Sequence, residues 1–238
     1  MMAALRDARE ALPPGGRVPA RANASSWLVS GMLGLMPGQT SAFETPREPR
    51  ETPPEPREIL PEPREPASPY RVCMVCLGNI CRSPTAELVL RAELTAAGME
   101  EQVRVESTGT GDWHVGESMF RPARLELDRR GYDGSRHRAR QIQPEWLTGY
   151  DLVLAMDQAN LADLRRMSPD AESTSRIRLL RSFDPALAAD DPYDGEVPDP
   201  FGGGPEQYEL TFELVKAATS GLLAALAASL GEPAAEAQ

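Results

Sequence analysis

The chain has 238 residues, 41% of them apolar and 26% charged, with a formal net charge of −11. This acid excess excludes the broad basic face that nucleic acid demands. Its three cysteines, crowded between positions 73 and 81, exclude the disulfide framework of a small secreted domain and point to a reducing, cytoplasmic compartment.

Residues 1–69 hold 13 of the 23 prolines and repeat Glu-Pro-Arg-Glu units over 44–66; their 8 basic and 9 acidic residues nearly cancel, so the negative charge belongs to the remainder. So few apolar side chains cannot offset chain entropy, and 1–69 is expected to be a disordered tail of extended polyproline II character, as is 232–238 without that character. Pro53 to Pro56 and Pro63 to Pro66 fit PxxP spacing, a weak signal in so proline-rich a tract. Deleting 1–66 is expected to leave stability and turnover untouched. The run Trp27 to Met36 is too short for a bilayer, which needs about 20 residues, and too far from the start for an export signal. No membrane partner is expected, and a monomer is.

Tyr70 to Leu77 lacks alternation and reads as a buried parallel strand. It runs into Cys76-Leu77-Gly78-Asn79-Ile80-Cys81-Arg82-Ser83, a Cys-x5-Arg-Ser loop. Such a loop curls its backbone N–H groups toward an anion, and the helix that follows adds its positive dipole end. Arg82 supplies a fork for two phosphate oxygens. The same field favours a reactive sulfur, since a helix N-terminus and a cation lower an ordinary thiol from about 8.5; Cys76 is therefore the candidate nucleophile. Gly78 and Asn79 tolerate left-handed backbone. Ser83 can bond the sulfur, and Pro84 suits a first helical turn.

Pro84 to Ala97 reads as a helix with Ala86, Val89, Leu90 and Leu94 inward and Gly98 as its stop. Val103 to Ser107 reads as the second strand, and the glycine-rich Thr108 to Met119 as an exposed functional loop. It carries Trp113, a candidate pocket wall, and His114, expected to face solvent. Arg121 to Arg130 is a short helix, Tyr150 to Met156 the third strand, and Asp157 caps a helix through Met167. Arg176 to Leu180 is the fourth strand; Gly204 to Leu230 is the last helix, burying Tyr208, Phe212, Val215, Leu222, Leu226 and Leu230. Four strands alternating with helices over 70–231 imply an α/β domain: a small doubly wound four-stranded parallel sheet with helices on both faces. Before the last helix lie three Asp-Pro pairs, at Asp184, Asp191 and Asp199, of which one can serve as a proton donor.

The runs CLGNICRSP, STGTGDWHVG, HRARQ, AMDQAN and VPDPF, in this order over roughly 70–231, resemble the low-molecular-weight protein tyrosine phosphatase family. The resemblance implies hydrolysis of protein phosphotyrosine through a cysteinyl-phosphate, with no metal or cofactor. It implies catalytic roles for Cys76, Arg82 and Asp199, and phosphate binding by Leu77, Gly78, Asn79, Ile80, Cys81, Arg82 and Ser83. Asn79 would be held by His137 and Ser107, the cradle ordered by Asp157, and the cleft walled by Trp113 and Phe201. Asp191 remains the alternative acid. Cys81 is a candidate redox partner of Cys76, with packing as the alternative and Cys73 a weaker partner. Where the family usually carries two tyrosines, Phe201 and Gly202 stand, so a wider mouth is expected. Related arsenate reductases need cysteines after Cys81, and there are none. Related arginine phosphatases carry threonine where Ile80 stands, which favours tyrosine here. A Cys73-x2-Cys76 zinc module would lack a second ligand pair.

Overall fold

The structure, a computed structural model, describes residues 60–231. The disorder expected over 1–59 and 232–238, the Trp27 to Met36 run and the Pro53 to Pro56 match lie outside the described residues. Four strands form one parallel sheet in the order β2-β1-β3-β4: β1 Tyr70–Cys76, β2 Val103–Gly109, β3 Leu152–Ala155 and β4 Ile177–Leu179. β1 is hydrogen-bonded on both edges, to β2 and β3, which explains why its sequence does not alternate. Its side chains still do. Tyr70, Val72, Met74 and Cys76 join one apolar layer, whereas Cys73 and Val75 join the opposite one with Leu161 and Leu164.

The first layer is closed by α1 Arg82–Ala96 and α5 Pro205–Leu230, and α2 Arg121–Arg129 packs on α5. The second is closed by α3 Gln158–Met167. Ala86, Val89, Leu90 and Leu94 of α1 are all buried, as are Phe212, Val215, Leu222 and Leu226 of α5. By length and composition α5 is one helix that passes for a membrane span, yet this apolar face lies in the core. Two devices lock it there. Buried Glu93 of α1 accepts from Lys216 Nζ and Ser220 Oγ, each at 2.6 Å. At Gly221 a Cβ would stand 1.9 Å from the Phe183 carbonyl oxygen, so only glycine lets helix and turn approach. Short α4 Ala171–Ser175 and the 3-10 turns Pro144–Gly149 and Leu180–Phe183 are too brief to leave a periodic pattern in the sequence.

Among the described residues, packing is present from Leu60 on and not only from Tyr70. Leu60 is 7% exposed and belongs to the main apolar cluster. Tyr70 Oη donates to the Pro61 carbonyl, and Arg176 Nη1 donates to the Glu62 carbonyl. Arg64 donates through its backbone N to Asp151 Oδ1 (2.6 Å) and through Nε to the Tyr150 carbonyl (2.8 Å), and it reaches Glu172 and Ser173. The same Asp151 also accepts from Arg71 N (2.7 Å), so one carboxylate ties this strap to the start of β1. Composition, averaged over a proline-rich tract, hides one leucine and one arginine that have specific partners. A deletion of 1–66 therefore removes packed residues, contrary to the expectation from composition.

Candidate active site

The cradle sits where β1 ends and α1 begins, at the carboxyl edge of the sheet, as open α/β sheets place their ligands. Cys76 Sγ lies 3.0 Å from Ser83 Oγ and accepts from Asn79 N at 3.2 Å. The Asn79 N–H stabilises negative charge on sulfur, and Ser83 can do so when it turns its proton from the Thr108 carbonyl to the sulfur. The curl depends on Asn79, whose φ of 53° is left-handed. That strain is held from all sides: Asn79 Nδ2 donates to Ser83 Oγ and Ser107 Oγ (both 2.9 Å), its Oδ1 accepts from Arg140 N (2.8 Å), and its carbonyl accepts from His137 Nε2 (2.7 Å). Since that carbonyl can only accept, His137 carries its proton on Nε2. Burial keeps His137 below the ordinary histidine range, partly opposed by its bond to Asn79. Ser107 Oγ in turn donates a hydrogen bond to Glu87 Oε2 at 2.5 Å. Gly109 completes the floor, because a Cβ there would stand 2.7 Å from the Leu77 carbonyl oxygen and 3.0 Å from Asn79 N.

Arg82 is 3% exposed. Its Nη1 donates to Asp157 Oδ2 (2.5 Å) and to the Val197 carbonyl, and its Nη2 donates to Asp199 Oδ2 (3.0 Å). Burial alone would discourage its charge, but Cys76, Asp199 and Asp157 together outweigh it and hold the guanidinium above its ordinary range. Asp157 serves both of the roles open to it: Oδ1 caps α3 by accepting from Asn160 N (2.7 Å), while Oδ2 orients Arg82. The fork thus bridges two carboxylates, and a phosphate would compete with Asp199 for Nη2.

A cleft of about 250 Å³ opens above, lined by Cys76, Leu77, Gly78, Ile80, Cys81, Arg82, Trp113, His114, Asp199 and Phe201. Trp113 and Phe201 are its exposed walls, at 67% and 57%. Asn79 and Ser83 lie behind the lining, fully buried. Asp191 is elsewhere: Arg181 grips both of its oxygens (2.8 and 2.9 Å), and with the Gly195 N–H holds its carboxyl below the usual range. Asp184 also meets Arg181. His114, expected to face solvent, instead lines the cleft; a Cβ on Gly78 would stand 2.9 Å from its Cδ2, and its Nδ1 is 2.8 Å from Glu117 Oε2. Glu87, Arg140 and the Val197 carbonyl were not foreseen either. Only Gly78, which leaves room for a ring, could have signalled His114.

Cys81 is buried in the same apolar layer as Cys76, and burial first, then Cys76 and Asp199, push its thiol above the ordinary range. Cys73 lies on the opposite face of β1, 3.4 Å from Thr108 Oγ1, its thiol pushed up to about 12 by burial. Among the described residues no cluster of three or more metal-ligating side chains occurs.

The model of the family described as "Low molecular weight phosphotyrosine protein phosphatase" matches residues 71–232. A low molecular weight protein-tyrosine-phosphatase of Streptomyces coelicolor is 48% identical over 157 residues, covering 66% of this chain and 93% of that protein. Low molecular weight protein-tyrosine phosphatase A of Mycobacterium tuberculosis is 39% identical, covering 66% and 91%. The crystal structure of YfkJ from Bacillus subtilis superposes with a TM-score of 0.61 at 32% identity, covering 67% of this chain and 96% of that one. With sequence, fold and cradle in agreement, this chain belongs to the low molecular weight phosphotyrosine protein phosphatase family.

Proposed function

We propose that this chain, a protein-tyrosine phosphatase, hydrolyses phosphotyrosine in protein substrates by two displacements at phosphorus, with Cys76 carrying the phosphoryl group between them. In the first, the Cys76 sulfur attacks in line and the bond from phosphorus to the tyrosyl oxygen breaks. Asp199 gives that oxygen its proton, because a phenolate of conjugate-acid pKa about 10 is a poor leaving group. In the second, water surrenders a proton to the Asp199 carboxylate and attacks phosphorus; the S–P bond breaks and phosphate leaves. The cradle amides and Arg82 hold the equatorial oxygens throughout and supply the positive charge that another enzyme would take from a metal.

The observation that carries this reading is the Asp199–Arg82–cradle connection, which puts acid, cation and nucleophile on one cleft wall. Phosphate arriving at Arg82 displaces Asp199 and frees its carboxyl for proton transfer. Leu77, Ile80, Trp113 and Phe201 give the cleft an apolar lining that suits a phenyl ring better than a guanidinium. Cys81 would guard the sulfur: peroxide oxidises Cys76 to a sulfenic acid with release of water, and the Cys81 thiol then forms the disulfide, releasing a second water.

The test is leaving-group dependence. Asp199→Asn is expected to lower kcat/KM, which reports the first displacement alone, by about 10² to 10⁴ on phosphotyrosine and far less on an activated aryl phosphate. Asp191→Asn is expected to change neither. An Asp199→Asn enzyme whose kcat/KM falls equally on both substrates, or native activity lost to a chelator, would contradict the reading.

A further inference from the structure

Phosphotyrosine is one residue of a polypeptide, so the chain on either side of it must leave the cleft across the enzyme surface. Beyond Phe201 that surface does not close. A second concavity of about 590 Å³ lies there, lined by Arg121, Pro122, Leu125, Arg129, Gly203, Pro205 and Tyr208. A run of three aromatic rings links it to the catalytic cleft. Phe201 walls the cleft and packs at a tilt on Phe120 with ring centroids 4.9 Å apart, and Phe120 in turn meets Tyr208 of the groove at 6.4 Å. Gly203 follows Phe201 by two residues, which bounds their Cα separation at about 7.6 Å. Extended peptide at about 3.4 Å per residue therefore reaches the groove within two or three positions of the phosphotyrosine.

Between Phe201 and Gly203 stands Gly202, at whose position a Cβ would meet nothing within 4 Å, so no side chain crowds the chain there. The groove's chemistry is also unlike that of the rest of the domain. Leu125 is 45% exposed on α2, and the lining holds two arginines and no carboxylate, on a chain whose net charge is −11. Arg121 has no ion-pair partner among the described residues, and Arg129 shares the single carboxylate of Glu126 with Arg130.

We propose that this groove docks the substrate segment next to the phosphotyrosine, selecting an apolar residue and an acidic residue two to four positions away. The proposal rests on the phosphotyrosine reading of the cleft. An apolar side chain from the peptide covers Leu125, Pro122 and Pro205, while its carboxylate meets Arg121 and Arg129. These contacts are made by the bound substrate as well as in the transition state, so they act on KM and leave kcat unchanged.

The test compares three substrates: a small aryl phosphate, a phosphotyrosine peptide with serine and glycine flanks, and the same peptide with leucine and glutamate placed in turn at positions 2 to 4 on either side. Native enzyme is expected to favour the best leucine–glutamate peptide about tenfold in kcat/KM, through KM, and the preference is expected to shrink as salt rises. Arg121→Glu combined with Leu125→Glu is expected to abolish that ratio while leaving aryl phosphate turnover and the thermal midpoint unchanged. Should the double variant lose stability, Arg121→Gln alone is expected to lower the preference about threefold. A native ratio of one in every register, or a ratio that neither variant moves, overturns the groove proposal while leaving the catalytic reading intact. Failure of native enzyme on all three substrates would instead overturn the catalytic reading.

Discussion

Ser83 has one hydroxyl proton and two acceptors for it, the Cys76 sulfur at 3.0 Å and the Thr108 carbonyl at 3.1 Å, while it accepts from Asn79 Nδ2. A neutral thiol can donate to Ser83 and leave its proton on Thr108; an anionic sulfur draws that proton to itself. Ser83→Ala removes a bond to a charged group worth about 1.5–3 kcal/mol, and kcat on phosphotyrosine is expected to fall about 10- to 100-fold. His137 provides a pH test. Its folded pKa lies below the ordinary value of 6.5 because of burial, so below 6.5 the unfolded chain binds more protons than the folded one. The stability from its neutral form is complete above 6.5 and is lost as pH falls through the lowered folded value. Thermal midpoints measured downward from pH 7 are expected to drop in that window for the native protein, and the drop is expected to be shallower in His137→Gln. Equal slopes would mean that His137 titrates as if exposed.

At the scale of elements, Gly221 lets α5 lie against the Phe183 carbonyl. Gly221→Ala is expected to cost about 1–3 kcal/mol through overpacking, read as a lower denaturation midpoint with an unchanged denaturant slope. Gly109→Ala presses instead on the cradle floor and is expected to lower kcat more than stability. Neither glycine announces itself in the sequence, because a close approach between distant segments leaves no local pattern. What was legible was contiguous: the Cys76 to Ser83 loop, the strand before it and the inward stripe of α1 lie within a few turns of chain. Arg82 was legible as a phosphate fork, but its partners Asp157 and Asp199 stand 75 and 117 residues away. Only the family resemblance brought Asp157, Asp199 and His137 to the cradle; Glu87 and His114 had no such signal.

Over the whole molecule, the domain carries a strap that its composition disguised. Removing 1–59 is expected to leave the thermal midpoint in place. Removing 1–69 strips Leu60 from the core and Arg64 from Asp151, Tyr150 and Glu172. The leucine alone accounts for about 2–5 kcal/mol if its site cannot collapse, so the longer deletion is expected to lower the midpoint by several degrees. Equal midpoints in the two truncations would show that the strap adds no stability. Catalysis by two displacements requires one bond above all, between the Cys76 sulfur and phosphorus. A rapid quench of native enzyme with a phosphotyrosine peptide labelled in its phosphate, followed by digestion of the denatured protein, measures that bond directly. The label is predicted on the peptide containing Cys76, at levels approaching the enzyme concentration in Asp199→Asn with an activated aryl phosphate, and absent from Cys76→Ser. Turnover with no label on Cys76, or with label on another residue, would contradict it.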